Sequence, residues 1–330
     1  MLKVVVKFLI ITHRDLDGIA GAALYSYCRK IPDDQLKIVY VEPSQILNII
    51  RKYYKRKRLL ALIDIGLNKE VFNELIDIDL SDIDIKWYDH HIWDEEWVEV
   101  LRSKNIELHI DRSTCATGVI AKNVCLEQNS RVSELVDIVC NADMWKFGRY
   151  ESAFLFRYAD LGNEDRWRSI VFKVIKSYLE NTLKDLVQYI EEDVSKYVDE
   201  ELKVLSSLPD KIIKEGIDGI TLCIYVKDSY IPSTSIIGNA MLSFCDIAVL
   251  VHEALKSISF RSWKCNVREV AKSLGGGGHP RAAGAPLNIP LVFRLLKNLG
   301  LDIAKKYVVD EILKKMIELK INIISLCSEG

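Results

Sequence analysis

The sequence holds eight cysteines but no Cys-x-x-Cys pair. Cys28, Cys115, Cys125, Cys140, Cys223, Cys245, Cys265 and Cys327 are scattered, which argues against a zinc ribbon or a disulfide framework. They read as small core residues of a cytoplasmic protein. A membrane span is also missing. The apolar start VVVKFLIIT is far shorter than the roughly 20 residues a spanning helix needs, and it lacks a signal-peptide cleavage pattern. A buried strand is the simpler reading. Excess charge of either sign is absent, with a formal net charge of −2. A protein that coats long nucleic acid is usually more basic, so local charged sites are favoured over a global field. Internal repeats and low-complexity segments are lacking too.

What is present is a chain of 330 residues, 49% of them apolar, long enough for two domains. Strands are expected at 3–12, 36–41, 59–66 and 83–91, alternating with helices over 17–29 and 44–55. Their apolar, β-branched character argues for a parallel sheet flanked by helices. Residues 112–142 read as helix. A longer helical run, 166–206, is either a bridge between domains or an ordinary packing helix. After Pro209 come short strands at 220–226, 245–254 and 257–262, then GGGGHPRAAG (275–284), indicating a second, smaller α/β domain. The tail beyond 290 is amphipathic helix, suited to packing on that domain or to a homodimer contact.

Acidic and histidine residues follow the first strands in order. His13, Asp15 and Asp17 lie in THRDLDG, Asp64 in LIDIG, and Asp89, His90 and His91 in YDHH. Asp143, in NADMW, ends a helical run. In open α/β sheets, ligand groups collect at the carboxyl ends of strands. A lone Asp there is usually a cap, but helix caps do not require adjacent histidines. Mixed oxygen and imidazole ligands suit Mn²⁺ or Mg²⁺, and also Zn²⁺ or Co²⁺. A two-metal site needs a bridging carboxylate, and Asp64 is the natural bridge. In the glycine run, Gly276, Gly277 and Gly278 would let a ligand approach the main chain. A helix starting near Arg281 or Ala282 would attract an anion. His279, Arg281, Arg261 and Ser262 would add donors.

Together these motifs resemble the DHH superfamily of phosphoesterases. THRDLDG, LIDIG, YDHH and NADMW are similar to its four motifs, and GGGGHPRAAG to the signature of its associated substrate domain. The resemblance covers about residues 5–290. It implies a catalytic domain (1–155), a helical linker (156–208), a substrate-binding domain (209–290) and a helical extension (291–330). It also implies two divalent cations, Mn²⁺ foremost with Mg²⁺ or Co²⁺ as alternatives. One would be held by His13, Asp15 and Asp64, the other by Asp17, Asp64, His90 and Asp143. His91 would contact the scissile phosphate, and Asp89 would orient its histidine neighbours. Arg261 and His279 would bind a terminal phosphate or nucleotide. The Ser113–Thr114 and Thr117–Gly118 segment resembles a family stretch near the site.

The implied substrates are short RNA or DNA oligonucleotides, linear dinucleotides or the nucleoside bisphosphate pAp, as in the NrnA-like branch. One alternative is a RecJ-like single-strand exonuclease, with RKYYKRKR (51–58) as a strand contact. Another is an inactive replication scaffold. The first motif looks archaeal and RecJ-like, but the chain ends too soon to hold the added oligonucleotide-binding fold of full-length bacterial RecJ.

Overall fold

A computed structural model describes residues 7–53, 59–80, 83–126, 129–217, 219–299, 302–318 and 327. The chain divides into two units, 1–195 and 196–330.

The first unit begins with β1 (Phe8–His13), α1 (Leu16–Cys28), β2 (Leu36–Val41), α2 (Ile46–Tyr53), β3 (Leu59–Ile63), α3 (Lys69–Ile76), β4 (Ile85–Asp89), α4 (Glu95–Ser103) and β5 (Ile106–Ile110). The strands form one sheet in the order β2-β1-β3-β4-β5, with every pair parallel. The chain steps from β1 outward to β2, then back past β1 to β3. The carboxyl ends of β1 and β3 therefore flank a topological switch point, where ligands gather in such sheets. β5 is a strand outside those expected, and its alternation of Ile106, Leu108 and Ile110 with Glu107 and His109 is that of a half-buried edge strand.

Alternate residues of each strand serve opposite faces. Leu9, Ile11, Leu60, Leu62, Ile85 and Trp87 pack with Ile46, Ile50, Val71, Phe72 and Leu101 of α2, α3 and α4. On α1, a side chain at Gly21 would meet Ile63 Cγ2 at 2.8 Å, so the helix lies tight against β3.

The run expected as helix over 112–142 forms two helices, α5 (Ala116–Val124) and α6 (Ser130–Asp143). The side chain of Asn129 caps α6 by accepting from Val132 N. Then come α7 (Tyr150–Ala159), α8 (Asp165–Leu179) and α9 (Leu186–Lys211). The run expected over 166–206 breaks after α8 because Asn181 turns left-handed, at φ 61°, a conformation Asn tolerates better than most residues. α9 carries the chain from the first unit into the second.

The second unit holds β6 (Ile213–Ile217), β7 (Ile220–Val226), α10 (Thr234–Met241), β8 (Ile247–Val251), β9 (Ser257–Arg261), α11 (Val267–Ser273), β10 (Gly277–His279), β11 (Ala282–Pro286), α12 (Leu291–Asn298) and α13 (Asp302–Glu318). Its sheet runs β10-β11-β9-β8-β7-β6 and is mixed. Cys223, Tyr225, Ala248 and Leu250 face α10 through Ile237 and Met241. The opposite face, with Ile224, Val249, Phe260 and Ala283, is sealed by α11 and by Val308, Val309, Ile312 and Met316 of α13. Within the tail, α13 is thus part of the core of the second unit, whereas Leu291, Val292 and Leu295 of α12 are exposed. The helix entertained near Arg281 is instead a strand, because Ala282–Pro286 pairs antiparallel with both β10 and β9.

The cysteines correct the sequence reading. Six of them form disulfides, Cys28–Cys125, Cys115–Cys140 and Cys265–Cys327. Their sequence separations of 97, 25 and 62 residues are closed by the fold, so no local spacing pattern announces them. Cys223 and Cys245 are free thiols. Among the described residues no helix is long and apolar enough to cross a membrane.

Candidate metal centre

Three of the acidic motifs sit at the carboxyl ends of parallel strands, and Asp143 of the fourth ends α6. His13 is the last residue of β1, Asp64 directly follows β3, and Asp89 ends β4 with His90 and His91 just beyond. Asp15 caps α1, accepting from Gly18 N at 3.1 Å, and Asp17 lies in that helix's first turn. Gly18 is required there, since a Cβ would meet His13 O at 2.5 Å. Asp64 has φ 57°, a left-handed turn that swings its carboxylate off the strand line.

Three groups of side chains have ligand atoms within 4.8 Å of one another: His13, Asp15 and Asp64; Asp17, His90 and Asp143; and Asp64, His90 and His91. Asp64 belongs to two of them. His13 Nδ1 lies 2.8 Å from Asp15 Oδ2 and 3.6 Å from Asp64 Oδ2. His90 Nε2 lies 3.4 Å from Asp64 Oδ1, 3.7 Å from Asp143 Oδ2 and 3.9 Å from Asp17 Oδ2.

Supporting residues fix these groups. Asp17, 2% exposed, accepts from Ala116 N at 2.6 Å, Thr117 N at 2.8 Å and the Thr117 hydroxyl at 2.6 Å. The Thr117–Gly118 segment therefore reaches the site through the N-terminus of α5. Asp89 is fully buried. It accepts from His91 N at 3.3 Å and from Trp93 Nε1 at 2.5 Å, and pairs with His91 Nδ1 at 2.8 Å. That orients His91 from behind. Gly66 lets His91 settle, because a Cβ there would meet the His91 ring at 3.0 Å. Arg168, almost buried, donates from Nε to Arg14 O at 3.1 Å and pins the loop between His13 and Asp15.

Sequence reasoning misses Glu42. It directly follows β2, and its Oε2 lies 3.5 Å from His13 Nε2. The signal is available, since Glu42 occupies the same strand-end position as Asp64.

The electrostatics are those of concentrated negative charge. Burial, then the charges of Asp64 and Asp143, push Asp17 well above the ordinary carboxylate range. Burial leads for Asp143 as well. His90 opposes it and Asp64 and Asp15 add to it, with a result of about 7. For the imidazoles burial works the other way, but the carboxylates outweigh it. His13 is held well above 6.5 by Asp15, Asp64 and Glu42. Hydrogen bonding to Asp64 and the charges of Asp64, Asp17 and Asp143 lift His90 to about 10. Asp89 lifts His91 to about 8.

The donor set fits divalent cations. Asp64 Oδ2 is buried without a hydrogen-bond partner among the described residues. A buried carboxylate oxygen left unsatisfied is costly, and a cation held with Asp15 and His13 would satisfy it. Carboxylates with imidazoles and no thiolate favour hard or borderline ions.

No known family profile matches the sequence, and no curated protein matches it. Solved structures do. A RecJ exonuclease bound to manganese aligns over 92% of this chain and 90% of its own, at 12% identity and TM-score 0.57. The pGpG-specific phosphodiesterase PggH from Vibrio cholerae aligns over 89% and 97%, at 18% identity and TM-score 0.51. RecJ with Mn²⁺ from Thermus thermophilus aligns over 92% of this chain but 52% of its own, at 12% identity and TM-score 0.56.

The chain has the fold of these RecJ and PggH structures.

In the second unit, the sheet register organises the remaining candidates. His279 is opposite Ala282, and Ala282 is opposite Arg261. Directly opposed residues share a face, so Arg261 and His279 stand on one face with only a methyl group between them. α10 crosses that face, and a Cβ at Gly238 would meet Arg261 Cγ at 2.8 Å. Arg261 donates to Ser235 Oγ at 3.1 Å and Phe260 O at 2.9 Å. Burial lowers its pKa to about 10.

Ser262 departs from the expectation. Its side chain is committed within the chain, donating to Asp246 O at 2.7 Å and accepting from Cys265 N at 2.9 Å, and the residue is 1% exposed. Arg281 is exposed, and its carbonyl accepts from Ser262 N. The glycines make a tight hairpin. A Cβ at Gly276 would meet Gly284 O at 2.0 Å, and Gly278 has φ 135°. Gly277 has open space around it.

Proposed function

We propose that the protein is a metal-dependent phosphodiesterase acting on short nucleotides. The observation that carries this reading is Asp64: buried, shared between two ligand groups, with Oδ2 lacking a hydrogen-bond partner among the described residues. His13, Asp15 and Asp64 would hold one cation, and Asp17, Asp64, His90 and Asp143 a second. Such cations, when bound, supply an activated water and neutralise charge on phosphoryl oxygens. Mn²⁺ is the first choice, in keeping with its presence in RecJ structures of this fold. His91, held through Nδ1 by Asp89, would donate to the scissile phosphate. The Asp89 carboxylate behind the ring stabilises its protonated form, which suits an anionic substrate. On the second unit, Arg261 and His279 would bind a terminal phosphate or nucleotide.

Short oligoribonucleotides, linear dinucleotides and pAp are the proposed substrate class. The near-neutral charge of the chain favours gripping an end over coating a strand. The RecJ-like reading relies on residues 51–58, of which 54–58 lie outside the described residues. Tyr53 is 6% exposed and packs in the core, which removes that aromatic as a strand contact. The test is hydrolysis of a labelled dinucleotide and of a long single strand at equal end concentration with Mn²⁺. Turnover of the dinucleotide that chelator abolishes is expected. A strong preference for the long strand would replace this reading with a RecJ-like exonuclease, and no turnover of either would favour a scaffold.

A further inference from the structure

Just beyond Asp143 the backbone does something bulky residues avoid. Trp145 has φ 56° and Phe147 has φ 44°. Glycine adopts this left-handed region freely, whereas large side chains are outliers there, and such outliers cluster at ligand sites. The turn is nonetheless well made. Trp145 N donates to Ala142 O, and both Lys146 N and Phe147 N donate to Asn141 O. The result throws two rings to one place. Trp145 and Phe147 meet edge to face with centroids 4.8 Å apart. Phe156 of α7 completes the group at 5.7 Å from each. None of the three is buried; all remain partly open to solvent.

We propose that Trp145, braced by Phe147 and Phe156, is the stacking platform for a nucleobase of the substrate. The proposal rests on the phosphodiesterase reading of the metal centre. Trp145 is two residues from Asp143, so their Cα atoms lie within about 7 Å. That is comparable to the reach from a phosphate to the base of its own nucleotide. A tryptophan face suits any base, because every base has a π surface. Edge-to-face contacts with the two phenylalanines hold the indole in place without covering it. A hydroxyl or amide at this position would have signalled choice among bases. The three rings offer stacking faces, and stacking does not distinguish one base from another.

The test uses the full chain with Mn²⁺ and two substrates, a diadenylate dinucleotide and its analogue with both bases removed. Stacking is worth roughly 5- to 150-fold per base. The wild type should show a KM lower by a factor in that range for the dinucleotide. In Trp145→Ala the two KM values should converge, and Trp145→Phe should keep most of the difference. Equal KM values in the wild type, or an undiminished difference in Trp145→Ala, would overturn the platform.

A second measurement needs no turnover. Adenosine, which carries no phosphate for the acidic metal-free centre to repel, should quench the tryptophan fluorescence of the metal-free protein, and the quenching should disappear in Trp145→Phe although five other tryptophans remain of the six. Quenching that persists undiminished in that variant, or is absent in the wild type, rejects the proposal. This arm also decides the matter if Trp145→Ala does not fold. Quenching without hydrolysis of either substrate would sink the phosphodiesterase reading while leaving the base platform standing.

Discussion

Thr117 gives both its amide and its hydroxyl to a single oxygen of Asp17, at 2.8 and 2.6 Å. The two residues are 100 positions apart, and neither is accessible to solvent beyond 2%. The N-terminus of α5 thereby holds Asp17 in place and sets which way its carboxylate points.

Removing the hydroxyl should loosen that orientation. Partners that orient ligands typically change metal affinity by about 10- to 100-fold. Thr117→Val is expected to weaken Mn²⁺ binding, measured calorimetrically, within that range, and Thr117→Ser to restore it. Unchanged affinity in Thr117→Val would show that the two backbone amides suffice.

Asp64 should control divalent binding, because two groups of candidate ligands share it. Asp64→Asn is expected to abolish tight divalent binding, measured calorimetrically, and hydrolysis. Retained hydrolysis would remove Asp64 from its bridging role.

Glu42 faces His13 Nε2 at 3.5 Å, on the far side of the ring from Asp15 and Asp64. A carboxylate there fixes the ring and raises its basicity as a ligand. Glu42 is half exposed, so solvent screens it, and the expected loss of Mn²⁺ affinity in Glu42→Gln is modest, about 10-fold or less. A loss as large as that of Asp64→Asn would instead make Glu42 a ligand.

The Cys115–Cys140 bond joins the residue capping α5 to the last turn of α6, three residues before Asp143. It ties the backbone that holds Asp17 to the helix that carries Asp143. Closing a loop of 25 residues stabilises by about 3.5 kcal/mol on chain-entropy grounds. Cys115→Ala/Cys140→Ala should lose a comparable amount in denaturant titration and bind Mn²⁺ more weakly. Denatured, unreduced wild-type protein should titrate two thiols, Cys223 and Cys245. Eight thiols would mean that the bonds do not form.

The strand-ending motifs are legible because a parallel strand is a continuous apolar run, and polar residues directly after it stand out. That pattern places His13, Asp64, Asp89, His90 and His91 at the same sheet edge from sequence alone. Residues 36–41 and 220–226 match their strands as observed. Glu42 is equally legible, although it lies outside the motifs that draw the eye. Tertiary structure decided the rest, since those contacts join residues far apart in the chain. Only the fold could close three disulfides over 25 to 97 residues, bring Thr117 to Asp17, or turn the glycine run into a hairpin by offering β9 as a partner. An amphipathic helix has an apolar face that any apolar surface could cover, and for α13 the core of the second unit covers it. The left-handed turn at Trp145 and Phe147 contradicts the local preference of both residues, so only the assembled structure could reveal it.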